Sequence, residues 1–127
     1  MSRIDRPRIL LIDDERDIVD VIKKGLERKG FEVTGYTDPV EAIRQFKPFH
    51  YEVVITDIRM PFLNGFELYR SIRKLDDTVK IFFLTAFEIS NEEAKLAFPK
   101  LAPNSFIKKP ITTDHLVELI QAPPKIA

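Results

Sequence analysis

The chain has no cysteine, which excludes a disulfide scaffold, a thiol nucleophile and a thiolate metal site. Its two histidines, His50 and His115, stand far apart, too few for a histidine zinc centre and poorly suited to a Ser-His-Asp triad. Excess charge is missing as well: 20 Lys+Arg balance 20 Asp+Glu. The signs are not segregated either, since residues 1–64 carry 11 basic and 12 acidic side chains. Such a surface has no global field to draw in nucleic acid or an anionic membrane. No apolar run approaches the roughly 20 residues of a membrane span, and Met1–Arg8 is too polar for a signal peptide. The cytoplasm is the expected location. Repeats and low-complexity stretches are absent too.

What is there reads as one globular domain. The 127 residues are 44% hydrophobic and 31% charged, enough to bury a core without staples. Short apolar runs alternate with helical periodicities along the whole chain. Strands are expected at Arg8–Ile12, Phe31–Tyr36, Tyr51–Thr56, Val79–Thr85 and Ser105–Lys108. Between them, Ile18, Val19, Ile22 and Leu26 recur at helical spacing up to Gly30. Asp38 and Pro39 form the N-cap and first position of a second helix running to Phe46. Phe66, Leu68, Tyr69 and Ile72 mark a third helix, Asn91–Phe98 a short fourth and Thr112–Gln121 a fifth. Five strands alternating with five helices give an α/β domain on a parallel sheet. Residues 1–122 make up the expected domain, and 123–127 a tail or linker stub.

In an open α/β sheet, ligands bind beyond the carboxyl ends of the strands. At those ends stand Asp13 and Asp14, Asp57, Thr85 and Lys109. Each has an ordinary use of its own. Asp13 or Asp14 can cap a helix, Asp57 can end a strand, Thr85 can fill one, and Lys109 can be a solvated surface group. Those uses do not explain why three carboxylates, a hydroxyl and an ammonium converge on one edge.

Three carboxylates that close cannot all stay ionised without a counter-charge. Lys109 offsets one, and a hard divalent cation would offset the others. Magnesium suits a few carboxylates plus water and a phosphoryl oxygen. A carboxylate can also attack phosphorus, with the metal, Lys109 and Thr85 holding the phosphoryl oxygens. The edge residues alone therefore point to a Mg²⁺-dependent aspartyl phosphate, without saying which carboxylate carries it.

Four segments, ILLIDDE at 9–15, VVITDIRMPFLNGFEL at 53–68, FFLTA at 82–86 and FIKKP at 106–110, closely resemble the receiver domain of two-component response regulators of the chemotaxis-regulator type. The resemblance implies a doubly wound (βα)5, flavodoxin-like three-layer fold with strand order 2-1-3-4-5. It implies Asp57 as phosphoacceptor, Asp14 as direct metal ligand, Asp13 acting through metal-bound water, and the backbone carbonyl of Arg59 as a further ligand. Lys109 resembles the phosphoryl-contacting lysine, and Pro110 the family's usually cis proline. Thr85 and Phe106 resemble the switch pair that remodels the face made by the fourth helix, fifth strand and fifth helix. The implied cofactor is Mg²⁺, with Mn²⁺ as a substitute. The implied partner is a sensor histidine kinase or a histidine phosphotransfer protein, with a downstream effector or an output domain outside this sequence. Direct nucleic-acid and membrane contact are not expected. A phosphorylation-dependent homodimer is compatible with the family. The chain is then a phosphoacceptor rather than a turnover enzyme.

Two departures stand out. Pro99 and Pro103 bracket a segment where the family has its usual helix end and Gly-Ala, which bears on signalling through that face. Arg59 and Phe87 stand where the resembled family varies most beside its site and tunes water access; they offer no carboxamide or acid to orient water, so the resemblance implies slow self-dephosphorylation. Other functions fit less well. A haloacid-dehalogenase-type phosphohydrolase needs an acid two residues after its nucleophile, where Arg59 stands. An FMN carrier needs a Ser/Thr/Gly-rich loop where Asp13–Asp14–Glu15 would repel the phosphate. A non-phosphorylated scaffold would not need the complete site.

Overall fold

The five apolar runs pair into one parallel sheet, in a computed structural model that describes residues 6–86 and 105–121. The strands are β1 (Arg8–Ile12), β2 (Glu32–Tyr36), β3 (Val53–Asp57), β4 (Lys80–Thr85) and β5 (Phe106–Lys108), in the order β2-β1-β3-β4-β5. The helices are α1 (Arg16–Arg28), α2 (Pro39–Gln45), α3 (Gly65–Leu75) and α4 (Thr113–Gln121). The helix expected at Asn91–Phe98 lies outside the described residues, as do Phe87, Pro99, Pro103 and the tail.

Alternation along the central strands divides the core in two, as a sheet covered on both faces requires. On one face Ile9, Leu11, Ile55, Phe82 and Leu84 meet Val19 and Leu26 of α1 and Leu116 and Ile120 of α4. On the other, Leu10, Ile12, Val54, Ile81 and Phe83 meet Ala42 of α2 and Leu68 and Ile72 of α3. The result is a three-layer α/β sandwich.

Local chemistry sets the element ends. Asp38 Oδ1 accepts the Val40 N–H at 2.9 Å with Pro39 at the first helical position, so α2 starts where the sequence indicates. Phe31, expected in the second strand, instead closes α1. Its N–H donates to Leu26 O at 3.2 Å, the Gly30 N–H donates to Glu27 O at 3.1 Å, and Gly30 has φ +98°. That is a Schellman cap, and β2 starts one residue later. At α3, Asn64 Oδ1 accepts the Glu67 N–H at 2.9 Å while Glu67 Oε1 accepts the Asn64 N–H at 3.1 Å. This reciprocal box stabilises the helix start by about 1 kcal/mol and fixes where the loop after β3 must end.

The opposite edge of the sheet is tied by Asp76, which is 1% exposed. It accepts hydrogen bonds from the N–H groups of Phe49, Thr78 and Val79 and from the Thr78 hydroxyl. Burial alone would raise its pKa, but these donors, the Thr78 hydroxyl foremost, bring it below the ordinary value.

Candidate functional site

Every charged candidate is delivered by the end of a strand. Asp13 and Asp14 follow β1, Asp57 is the last residue of β3, Thr85 the last of β4, and Lys109 the first after β5. The parallel register brings these ends to one edge. Carboxylate oxygens of Asp13, Asp14 and Asp57 all lie within 4.8 Å of one another. The Lys109 Nζ stands 2.9 Å from Asp13 Oδ2 and 3.5 Å from Asp57 Oδ2.

The two acids after β1 differ in their surroundings. Asp13 is fully buried, with Oδ1 accepting the Glu15 N–H at 2.9 Å and Oδ2 taken by Lys109. Asp14 is exposed. Neither caps α1, because Glu15 occupies the N-cap position with no side-chain hydrogen bond to the helix. The ordinary use of this Asp pair is therefore not realised.

Asp57 is buried beneath the edge, and its Oδ1 accepts the Ile58 N–H at 2.9 Å. Burial pushes its carboxyl above the ordinary value, and the Asp13 charge adds to this. Lys109 and the Ile58 N–H pull it back only in part. Burial would by itself lower the Lys109 ammonium, but the hydrogen bond and charge of Asp13 outweigh it and raise its pKa. Among the described residues, three carboxylates face one ammonium, an excess of negative charge when all three are ionised. A hard divalent cation on the Asp14 side fits that excess and this all-oxygen donor set. Arg59 lies exposed two residues beyond Asp57.

Thr85 is buried, and its carbonyl accepts the Lys109 N–H at 2.8 Å. Its side chain shares a face of β4 with Phe83, two residues back. Phe106 lies opposite Phe83 in the ladder, and Lys108 opposite Thr85. The half-buried Phe106 ring stacks on Phe83 at 5.1 Å and meets Phe66 edge-on at 6.5 Å. Thr85 and Phe106 are thus diagonal neighbours on one sheet face, while Lys108 is exposed. The Lys109–Pro110 peptide bond is cis. Of the histidines, His115 is exposed, and His50 packs edge-on against Tyr51 at 4.8 Å.

Gly65, the first residue of α3, borders this site. A Cβ there would lie 2.5 Å from the Asp57 carbonyl oxygen and 2.9 Å from Ile58 Cα. Its N–H donates to Ile58 O at 2.8 Å, so α3 begins directly against the end of β3. The Asn64–Gly65 pair was the available signal.

Comparison with known proteins identifies the class this geometry defines. A family model for the response regulator receiver domain matches residues 9–121. The chain is 29% identical over 119 residues to the transcriptional regulatory protein PrrA of Mycobacterium leprae, covering 94% of this chain and 50% of that protein. A receiver domain protein from Clostridium thermocellum, 32% identical, superposes with a TM-score of 0.76 over 90% of each chain. The response regulator TrrA of Thermotoga maritima, solved in complex with Mg²⁺ and BeF, is 32% identical with a TM-score of 0.75, covering 91% and 96%. The chain belongs to the response regulator receiver domain family. It spans about half the length of the curated relatives it matches first.

Proposed function

We propose that Asp57 accepts a phosphoryl group from the phosphohistidine of a sensor histidine kinase or a histidine phosphotransfer protein. One Asp57 carboxylate oxygen forms the new O–P bond as the N–P bond of the donor breaks, and the leaving imidazole keeps the electron pair. The observation that carries this reading is the pairing of a buried, charge-strained carboxylate with the Lys109 ammonium at 3.5 Å. A nucleophile so placed is near the edge yet shielded from bulk water.

The roles divide by geometry. Lys109, tied to Asp13, is available to neutralise phosphoryl charge without leaving the edge. The Ile58 N–H holds one Asp57 oxygen and so orients the other. Asp13, Asp14 and Asp57, with the Arg59 carbonyl, would hold Mg²⁺ or Mn²⁺. When bound, that cation supplies charge neutralisation for the acidic cluster and the incoming phosphoryl oxygens. Thr85, as the switch hydroxyl, would turn to a phosphoryl oxygen, and Phe106 would follow. Such a switch biases an existing equilibrium.

In this reading residues 1–122 are the receiver and 123–127 a tail or linker stub, acting in the cytoplasm on an effector or an attached output domain. Phosphorylation-dependent homodimers and slow self-dephosphorylation complete the proposal. Intact-mass spectrometry after incubation with acetyl phosphate, with and without Mg²⁺, tests it. One phosphoryl adduct that needs Mg²⁺ and vanishes in Asp57→Asn is the expected result. A folded, Mg²⁺-binding chain that takes no adduct would overturn it in favour of a scaffold.

A further inference from the structure

The loop between β3 and α3 holds a large aromatic ring in water on a strained backbone. Phe62 is 93% exposed and has φ +70°. The Leu63 N–H donates to Pro61 O at 2.8 Å, closing a three-residue turn around Phe62. Positive φ at the centre of such a ring is the classic γ-turn, rare and strained, and unfavourable for a side chain as bulky as Phe.

The strain does not come from a loose loop. Ile58 is tied to the Leu84 carbonyl, Gly65 to the Ile58 carbonyl, and Asn64 is locked in its reciprocal box with Glu67. Met60 and Leu63 pack inward against the core face that carries Phe83. Arg59, Pro61, Phe62 and Asn64 are exposed, and of these Phe62 carries the one aromatic ring. Glycine would remove the strain, and a polar residue would remove the apolar surface. Phe49, 70% exposed with φ +62°, shows the same combination before β3, so what distinguishes Phe62 is its place in the loop that follows Asp57.

We infer that Phe62 is an apolar anchor for the protein that donates the phosphoryl group, an inference that rests on the receiver reading. Its location names the occupant. The donor must bring phosphorus to Asp57, five residues before Phe62, so its surface covers the loops at the mouth of the site during transfer. A small donor such as acetyl phosphate has no such surface and makes no use of Phe62. The backbone turn already aims the side chain outward, so little main-chain ordering is needed for the ring to make contact.

The test compares two kinds of donor on the full chain. Autophosphorylated histidine kinases and phosphotransfer proteins from the same genome are screened singly against the unaltered chain. The fastest is then run against Phe62→Gly, Phe62→Ser and Phe62→Leu. Glycine and serine are expected to slow protein-to-protein transfer about tenfold or more, chiefly through KM. Leucine should recover part of the rate, and labelling by acetyl phosphate should stay unchanged in all three. Phe62→Gly should also melt no lower than the unaltered chain. Unchanged transfer in the glycine and serine variants overturns the inference. So does a screen in which acetyl phosphate labels the chain and no protein donor does. Failure of acetyl phosphate labelling itself overturns the receiver reading instead.

Discussion

The Cβ that Gly65 lacks would stand 2.5 Å from the carbonyl oxygen of Asp57, closer than real Cβ atoms come. The first turn of α3 and the end of β3 are therefore in backbone contact. Gly65→Ala must push one of them away, and both are held, α3 by its capping box and β3 by its neighbours. We expect a loss of about 1–3 kcal/mol in unfolding free energy. Acetyl phosphate labelling should slow because the Ile58 N–H shifts off Asp57. Urea denaturation and labelling rate together check this.

Lys109 is the only cation placed between Asp13 and Asp57 among the described residues. Replacing it by alanine leaves Asp13, which has no exposed surface, without its counter-charge. The expected cost is about 2–4 kcal/mol at pH 7. Added Mg²⁺ should restore part of it by binding the same carboxylates, about 1.4 kcal/mol at ten times its Kd. Denaturation curves with and without Mg²⁺ decide; a Lys109→Ala chain as stable as the original in EDTA would contradict the ion-pair account.

Asp57 should follow the opposite rule to most acids. Its folded pKa is raised, so the folded state holds the proton more tightly than the unfolded one. In metal-free buffer its contribution to stability falls as pH climbs through the ordinary 3.8 to the raised folded value. Asp57→Asn is thus expected to be more stable than the original chain at pH 7, with the difference closing near pH 3.5. Melting temperatures at the two pH values measure it.

Asp76 has the reverse sign. Its pKa is lowered, so its contribution is complete above the ordinary 3.8 and is lost as pH falls through the lower folded value. Asp76→Ala strands several N–H donors and should cost about 1–3 kcal/mol at pH 7. The variant should show a shallower loss of stability in acid. Asp76 lies away from the site edge, so acetyl phosphate labelling of the folded variant should be unaffected.

The sequence carried the architecture and the charged site because both rest on short-range signals. Five apolar runs of strand length marked the sheet, and the residues ending them were in plain view at 13, 14, 57, 85 and 109. Asp38–Pro39 marked a helix start by local hydrogen bonding alone. What stayed hidden depends on approach between segments. Asp76 precedes Thr78 in a recognisable turn, yet its bond to the Phe49 N–H crosses 27 positions. Gly25 looks like a weak point in α1 until its missing Cβ is seen to leave room for Thr113 Oγ1, which would lie 2.3 Å away. Phe31 had strand composition but was claimed by the cap of α1. The γ-turn at Phe62 left no mark, since Pro61 is compatible with many turns.

The ammonium at the site hangs from the weakest part of the sheet. β5 is three residues long, pairs only with β4, and leads directly into Lys109. Fraying starts at such margins, where little holds a strand down. Under gentle denaturation, Lys109 should come away while the interior strands still stand firm. The chain would then lose its chemistry before it loses its shape, and a shift in the edge strand would register at once as a change in the distance between opposite charges.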